Sequence, residues 1–444
     1  RQRQMCIRDR YRLKIKIGLK GKIDNEGVVI MENLIKRFVK YAKVHTTSNE
    51  DSETVPSTEI QKDLGKILVE DLKEIGLSDA YMDDKGYVYA TLKANTDKKL
   101  KKIGFIAHMD TSPAASGENV NPQIHRNYDG GDIVVNKEKN IVLSPNEFSI
   151  LSEKVGKTII TSDGTTLLGA DDKAGITEII EALKYIIENL EIEHSDIKVC
   201  FTPDEEVGRG ADFFDVEGFN TDFAYTVDGG EIGELEYENF NASSVDIKII
   251  GKSVHPGSAY NVMINAASVA TEFNSMVPQN EVPEKTKGYE GFYMLTSISG
   301  EVDEAKLSYI LRDFDLDGLN QRKAKIEEIA KTLQQKYGED RIIVEIKDSY
   351  YNMKEKIEPV MYIIDLAKKA MKDADIEPKI VPIRGGTDGA RISYMGIPTP
   401  NLFTGGYNFH GYYEYAVAEE MEKAKEVIIN IVKNLSLIHI SEPT

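Results

Sequence analysis

Histidines and acidic residues recur in this chain directly after short apolar runs, beside glycine or proline. His108 and Asp110 follow the run 102–107, and Asp171-Asp172 stand in LLGADDKAG. Glu205-Glu206 stand in TPDEEVG, after the alternating Ile197, Val199 and Phe201. Asp228 stands in TVDGG after Phe223, Tyr225 and Val227, and His410 arrives from the far end of the chain in NLFTGGYNFHG. In open α/β sheets, sites form at the carboxyl ends of strands, which is where these groups fall. Carboxylates gathered there repel one another unless a cation lies between them. Imidazole and carboxylate together are a zinc donor set, and two ions need a bridging carboxylate.

Taken singly, each motif has a plainer reading. An HxD pair can be a surface hydrogen bond, and Asp171-Asp172 can cap the helix that follows. Glu205-Glu206 can be a solvated acidic turn, and Asp228 before two glycines an ordinary turn. The five together, in this order at strand ends, point to a metal pair. If Glu205-Glu206 runs extended, its successive side chains point apart, so that one meets metal and the other water.

The elements that must position these residues can be read from periodicity. Apolar spacing predicts helices over 31–43, 59–75 and 172–190. Strands are predicted at 102–107, 197–201 and 223–227, alternating with the helices, which argues for a mostly parallel mixed sheet flanked by helices. From about Phe240 the texture changes. Strands at 243–250 and 292–299 flank a helix at 261–275, followed by a helix at 319–336 and a strand at 341–347. The expected organisation is an α/β catalytic domain over 31–239 and 353–434, interrupted by a smaller α+β lid over 240–352. No internal repeat or low-complexity tract is present.

The ordered motifs HMDT, GADDKAG, PDEEVG, VDGG, VHPG, RGGTDGA and FTGGYNFHG resemble the co-catalytic di-zinc aminopeptidase and carboxypeptidase family. The resemblance covers 31–434, and ENVNPQIHRNYDGGD at 118–132 is similar to its tripeptide-cleaving branch. It implies a zinc-exopeptidase fold with an inserted lid. It also implies that His108 and Asp228 hold one zinc, Glu206 and His410 the other, and that Asp171 bridges them. Glu205 would be the general base and Asp110 would orient His108. His255, in SVHPGSAYN, would stabilise the oxyanion from the lid. Arg312 in the lid and Arg384 in the catalytic domain would grip a substrate carboxylate. The implied activity is release of the N-terminal residue from tripeptides by metal-hydroxide attack on the first peptide bond. Dipeptidases, carboxypeptidases and N-acyl amino-acid hydrolases share the scaffold and stay open. A non-catalytic metal binder would be expected to lack the base, yet Glu205 is present. The N/O donor set accommodates Co²⁺ or Mn²⁺ as well as Zn²⁺, and a homodimer through the lid stays open.

Composition fits that expectation. The chain has 444 residues, 41% of them hydrophobic and 29% charged, more than one core usually serves. No apolar run approaches the roughly 18 residues that span a bilayer. The two cysteines, Cys6 and Cys200, make no disulfide framework, and a reducing cytoplasm is expected. The net charge of −19 disfavours phosphate backbones, so no nucleic-acid partner is expected. The ends stand apart. Residues 1–10 and 435–444 back-translate from sequencing-adapter ends, and 11–30 read as translated leader, so the native start is expected at Met31. Without that basic leader the core is more acidic still.

Overall fold

A computed structural model of the chain describes residues 31–437. Residues 1–30 and 438–444, with Cys6 and His439, lie outside the described residues. A helix over 31–42 precedes α1 (Gln61–Glu74), β1 (Tyr81–Met82), β2 (Val88–Leu92) and β3 (Ile103–His108). Next come α2 (Ala170–Glu188), β4 (Ile197–Thr202) and β5 (Phe223–Gly229). The middle of the chain supplies β6 (Asn241–Ile250), α3 (Ala266–Met276), β7 (Phe292–Gly300), β8 (Glu304–Asp313), α4 (Leu316–Tyr337) and β9 (Ile342–Tyr350). The last stretch adds α5 (Tyr362–Asp373), β10 (Asn401–Phe403) and α6 (Ala418–Leu437).

The described residues form two compact units. The first comprises 31–235, 362–379 and 401–437, the second 236–361 and 380–400. These limits differ from the expected ones chiefly at 380–400, which carries Arg384 and belongs to the second unit.

The main sheet has eight strands, of which the first six, all in the first unit, run in the order β1-β2-β4-β3-β5-β10. β3 pairs parallel with β4 and β5, and β10 pairs parallel with β5, while β1 and β2 are antiparallel additions. Every residue of β3 is buried, as a central parallel strand covered on both faces requires. α2 and α6 pack together, as do α6 and α5. α6 buries Met421, Ala424, Ile428, Ile431, Val432 and Leu435, a continuous helical stripe. It runs on to Leu437, so the first residues of the expected tail continue a helix whose apolar face Leu435 extends.

A smaller sheet in the same unit holds the hairpin of Gly406–Tyr407 and Tyr415–Val417 against Ile159–Thr161 and Gln123–His125. That hairpin presents the loop bearing His410. Tyr407 and Tyr415 stack at its base, 4.9 Å between centroids. Lys154, buried beneath, donates to the Tyr407 hydroxyl (2.7 Å) and to Glu420 (2.9 Å).

The second unit is a four-stranded antiparallel sheet, ordered β7-β8-β6-β9. Alternate residues of β6 and β8, including Val245, Ile247, Leu307 and Tyr309, are buried in one core with α3 and α4. One face covered by helices and one open is usual for antiparallel sheets. β8 was not expected, although Ala305, Leu307, Tyr309 and Leu311 alternate at strand spacing. Lys306 and Ser308 interrupt the run and the apolar Ile310 blurs the alternation, which becomes meaningful only beside a paired neighbour.

Candidate metal centre

Each expected ligand stands where a strand or turn ends, all within the first unit. His108 is the last residue of β3, and Asp228 lies one residue before the end of β5. The Asp228 backbone N–H donates to Asn401 Oδ1 on the neighbouring β10, 3.1 Å away. Asp171 heads α2 with non-helical backbone angles. His410 sits on the hairpin loop at φ +66°, a left-handed conformation costly for a non-glycine residue and held only by its surroundings. Glu205 and Glu206 occupy a single 3₁₀ turn, Glu205–Val207, entered through Asp204 at φ +60°. This corrects the expected extended segment: a turn, not pleat alternation, sets the directions of the two side chains.

These positions bring the side chains together around one carboxylate. Asp171 Oδ1 lies 2.8 Å from His108 Nε2, and Asp171 Oδ2 lies 3.0 Å from His410 Nε2. His108 Nε2 is 3.4 Å from Asp228 Oδ1, and His410 Nε2 is 3.0 Å from Glu206 Oε2. The geometry is thus two imidazole–carboxylate pairs joined by Asp171. Asp172 also offers an oxygen close to His108 and Asp228, but both its oxygens serve backbone donors. Oδ2 accepts from the His108 N–H (3.1 Å) and Oδ1 from the Gly175 N–H (3.1 Å). The two readings of Asp171-Asp172 therefore divide between them: Asp172 caps the helix, and Asp171 faces the histidines.

Asp110 does more than the sequence suggests. His108 Nδ1 lies 3.0 Å from the Asp110 carbonyl oxygen and 3.4 Å from Asp110 Oδ1. The buried Asp110 carboxylate also accepts the backbone N–H of Glu205 (3.0 Å) and of Glu206 (3.2 Å). Bonds to a charged acceptor are each worth roughly 1.5–3 kcal/mol, so Asp110 ties the His108 ring to the glutamate turn. On the other side of that turn Asp204 is fully buried. Its carboxylate accepts the Ser57 N–H and hydroxyl and the Gln61 amide. Ser57 and Gln61 sit at the start of α1, about 150 residues earlier in the chain, and no local signal in the sequence pairs them with Asp204.

Electrostatics follow from crowding. Burial disfavours a charged His108, yet Asp228, Asp110 and Asp171 outweigh it and raise the ring well above its usual value. Bonds to Asp171 and Glu206 push His410 up to about 11. Burial, then the Asp171 charge, lifts Glu206 to about 7, and burial lifts Asp228 to about 6. Asp171 is opposed by burial but held below the usual carboxylate range by the two histidines. Metal ligation needs neutral imidazoles, so cation binding at this cluster works against the upward shifts of His108 and His410.

Whether the residues suit metal can be tested on Glu206. Its Oε1 is buried with no hydrogen-bond partner among the described residues, a situation that costs about 1–3 kcal/mol. A divalent ion beside Glu206 and His410 would satisfy it. The set of imidazoles and carboxylates suits Zn²⁺, Co²⁺ or Mn²⁺. The residues fit.

The remaining expected site residues belong to the second unit. His255 is exposed, and its Nδ1 accepts the Gly257 N–H (3.1 Å). A backbone N–H can only donate, so the neutral ring carries its proton on Nε2. Arg312, on β8, donates to its neighbour Leu311 O (3.0 Å) and lies over the Tyr350 ring. Arg384 donates through Nη1 to Gly288 O (2.6 Å) and Glu290 O (3.0 Å), and through Nη2 to Thr286 Oγ1 (3.1 Å). Its guanidinium also stacks on Phe240 and Phe292. Much of Arg384 is therefore engaged in holding the 286–290 loop.

Comparisons with known proteins agree with the fold. Residues 237–341 match the peptidase dimerisation domain family. A peptidase T from Geobacillus kaustophilus is 60% identical over 402 residues, covering 90% of this chain and 98% of that protein. A peptidase T from Clostridium perfringens is 60% identical over 403 residues, covering 91% and 99%. The crystal structure of an aminopeptidase PepT from Bacillus cereus superposes with TM-score 0.73 at 25% identity, covering 91% of this chain and 99% of that one. A dinuclear metal-binding peptidase of the M20 family from Bacillus subtilis shares the fold, with TM-score 0.61 at 14% identity and coverage of 92% and 99%. At such identity over nearly its whole described length, the chain belongs to the peptidase T family.

Proposed function

We propose that this protein is a tripeptide aminopeptidase that works with two divalent ions, Zn²⁺ first among them, in the cytoplasm. The observation that carries the reading is Asp171, whose two oxygens face two different histidines, each with its own further carboxylate. In this assignment His108 and Asp228 would hold one ion and Glu206 and His410 the other, with Asp171 shared between them. When bound, the ions supply Lewis acidity and lower the pKa of the attacking water. Glu205 takes that water's proton and passes it to the leaving amine. Asp110 keeps His108 and the glutamate turn in register. His255 offers its Nε2–H to the carbonyl oxygen as charge develops there. Arg312, with Arg384, reads the far carboxylate of the tripeptide. Among the described residues no helix is long and apolar enough to cross a membrane. The match to a dimerisation domain supports a homodimer through the second unit.

The test is a panel of di-, tri- and tetrapeptides with free or blocked ends, run beside metal analysis. Free tripeptides should lose their first residue fastest, N-acylated ones should resist, and C-terminally amidated ones should be poor substrates. Preferred cleavage of dipeptides, of C-terminal residues or of N-acyl groups would move the protein to another activity of the same scaffold. Equal cleavage of free and amidated tripeptides would show that no carboxylate is read.

A further inference from the structure

The loop that carries His410 ends in a buried glutamate with an unusual set of partners. Glu414 Oε2 accepts the backbone N–H of Leu168 (2.7 Å) and of Gly169 (2.9 Å), and Oε1 accepts that of Asp171 (3.2 Å). Glu414 is 1% exposed. Three donors from one four-residue segment, ending at the carboxylate that joins the two histidines, converge on a single side chain. Glu414 lies four residues beyond His410, and its own N–H donates to Gly411 O (3.3 Å). The Asn408 amide donates to Tyr413 O (3.2 Å), which closes the loop on itself. The segments are far apart in sequence, yet Asp171 Oδ2 and His410 Nε2 must meet at 3.0 Å.

We propose that Glu414 is a positioning residue that sets the separation between the bridging carboxylate and the His410 imidazole. It clamps the backbone of 168–171 against the His410 hairpin. Its side chain holds the Asp171 backbone, and its own backbone belongs to the His410 loop. The carboxylate suits the task because it only accepts, so all three N–H groups can point at it. In a glutamine the oxygen can serve Leu168 and Gly169, but the amide then sets a donor against the Asp171 N–H. The change therefore falls on Asp171 itself. Residues that orient ligands in this way typically account for about 10- to 100-fold in metal affinity. The inference rests on the assignment of Asp171 as the bridge, and its test separates the two.

Glu414→Gln, His410→Ala and Asp171→Asn are each titrated with Zn²⁺ after chelation, following stoichiometry and affinity. Melting of the metal-free proteins is followed in parallel. Glu414→Gln should melt near the unchanged protein yet bind its weaker ion about 10- to 100-fold less tightly. Co²⁺-loaded protein should show a changed visible spectrum, which a role in folding alone would not produce. If Glu414→Gln does not fold, Glu414→Asp is read in the same way. It keeps the charge but withdraws the acceptors by one methylene. Unchanged affinity and spectrum in the variant that folds, with His410→Ala and Asp171→Asn both impaired, overturns the role of Glu414 alone. Unchanged binding in His410→Ala and Asp171→Asn overturns the bridging assignment.

Discussion

The two units hold their candidate chemistry in different ways. In the first, His108, Asp171, Glu206 and Asp228 are buried or nearly so, and each is locked through its own backbone by another side chain. Asp172 holds the His108 N–H, Glu414 the Asp171 N–H, Asp110 the Glu206 N–H and Asn401 the Asp228 N–H. In the second unit His255 rides on an exposed turn whose neighbour Tyr260 is 89% exposed, and its one described ring bond is to a backbone N–H two residues away. A cluster that must receive small ions without rearranging gains from rigidity. A group meant to act only when substrate is present can wait on an exposed turn. The difference predicts which substitutions disturb metal content and which disturb turnover alone.

Glu205 provides the sharpest break. It sits in the rigid unit but is assigned to the proton rather than to metal, so Glu205→Gln should keep both ions. Turnover should fall by about 10²–10⁴-fold, measured with a free tripeptide beside metal analysis. Loss of an ion, or near-normal turnover, would show that the roles of Glu205 and Glu206 are exchanged. His255 tests the other side of the contrast. His255→Ala should lower kcat by about 10²–10³-fold, in the range of a lost oxyanion donor, and leave metal content and melting unchanged. A normal kcat would make His255 an ordinary turn residue.

The smallest expected effect separates the two arginines. Arg312→Ala removes a side chain whose described bond is to its own neighbour's carbonyl, so selectivity for free over amidated tripeptides should fall by about 10- to 150-fold at little cost in stability. Arg384→Ala also releases the 286–290 loop and uncovers Phe240 and Phe292, so it should lower the melting temperature as well. If Arg384→Ala changes only melting and not selectivity, Arg384 is a strut and Arg312 reads the carboxylate by itself.

Much of the first unit was legible in the sequence because buried parallel strands advertise themselves as apolar runs, and the groups at their ends follow directly. Ile103–His108, Ile197–Thr202 and Phe223–Gly229 each lie within a residue or two of the expected bounds, and the residues at or just beyond their ends do meet around Asp171. The lid was less legible. The strand Glu304–Asp313 carries charged residues at both ends and an apolar Ile310 out of phase with the alternation, and could be recognised only beside its partners. The segment 380–400 could be assigned to the second unit only through contacts such as Arg384 with the 286–290 loop.

What the sequence determined by itself was the composition of the candidate site: which imidazoles and carboxylates stand at which strand ends, in what order, because these depend on residue type and on local apolar periodicity. The motif resemblance pointed to Asp171; what only the tertiary structure decided was why its neighbour Asp172 turns away from that role, and which side chains hold the candidate ligands in place. Asp171 and Asp172 are chemically identical, and their roles separate only when the His108 and Gly175 N–H groups arrive at Asp172. Asp204, Asn401 and Glu414 act on backbone donors as far as 246 residues away, and a hydrogen bond to a backbone amide leaves no residue-type signature at the donor end.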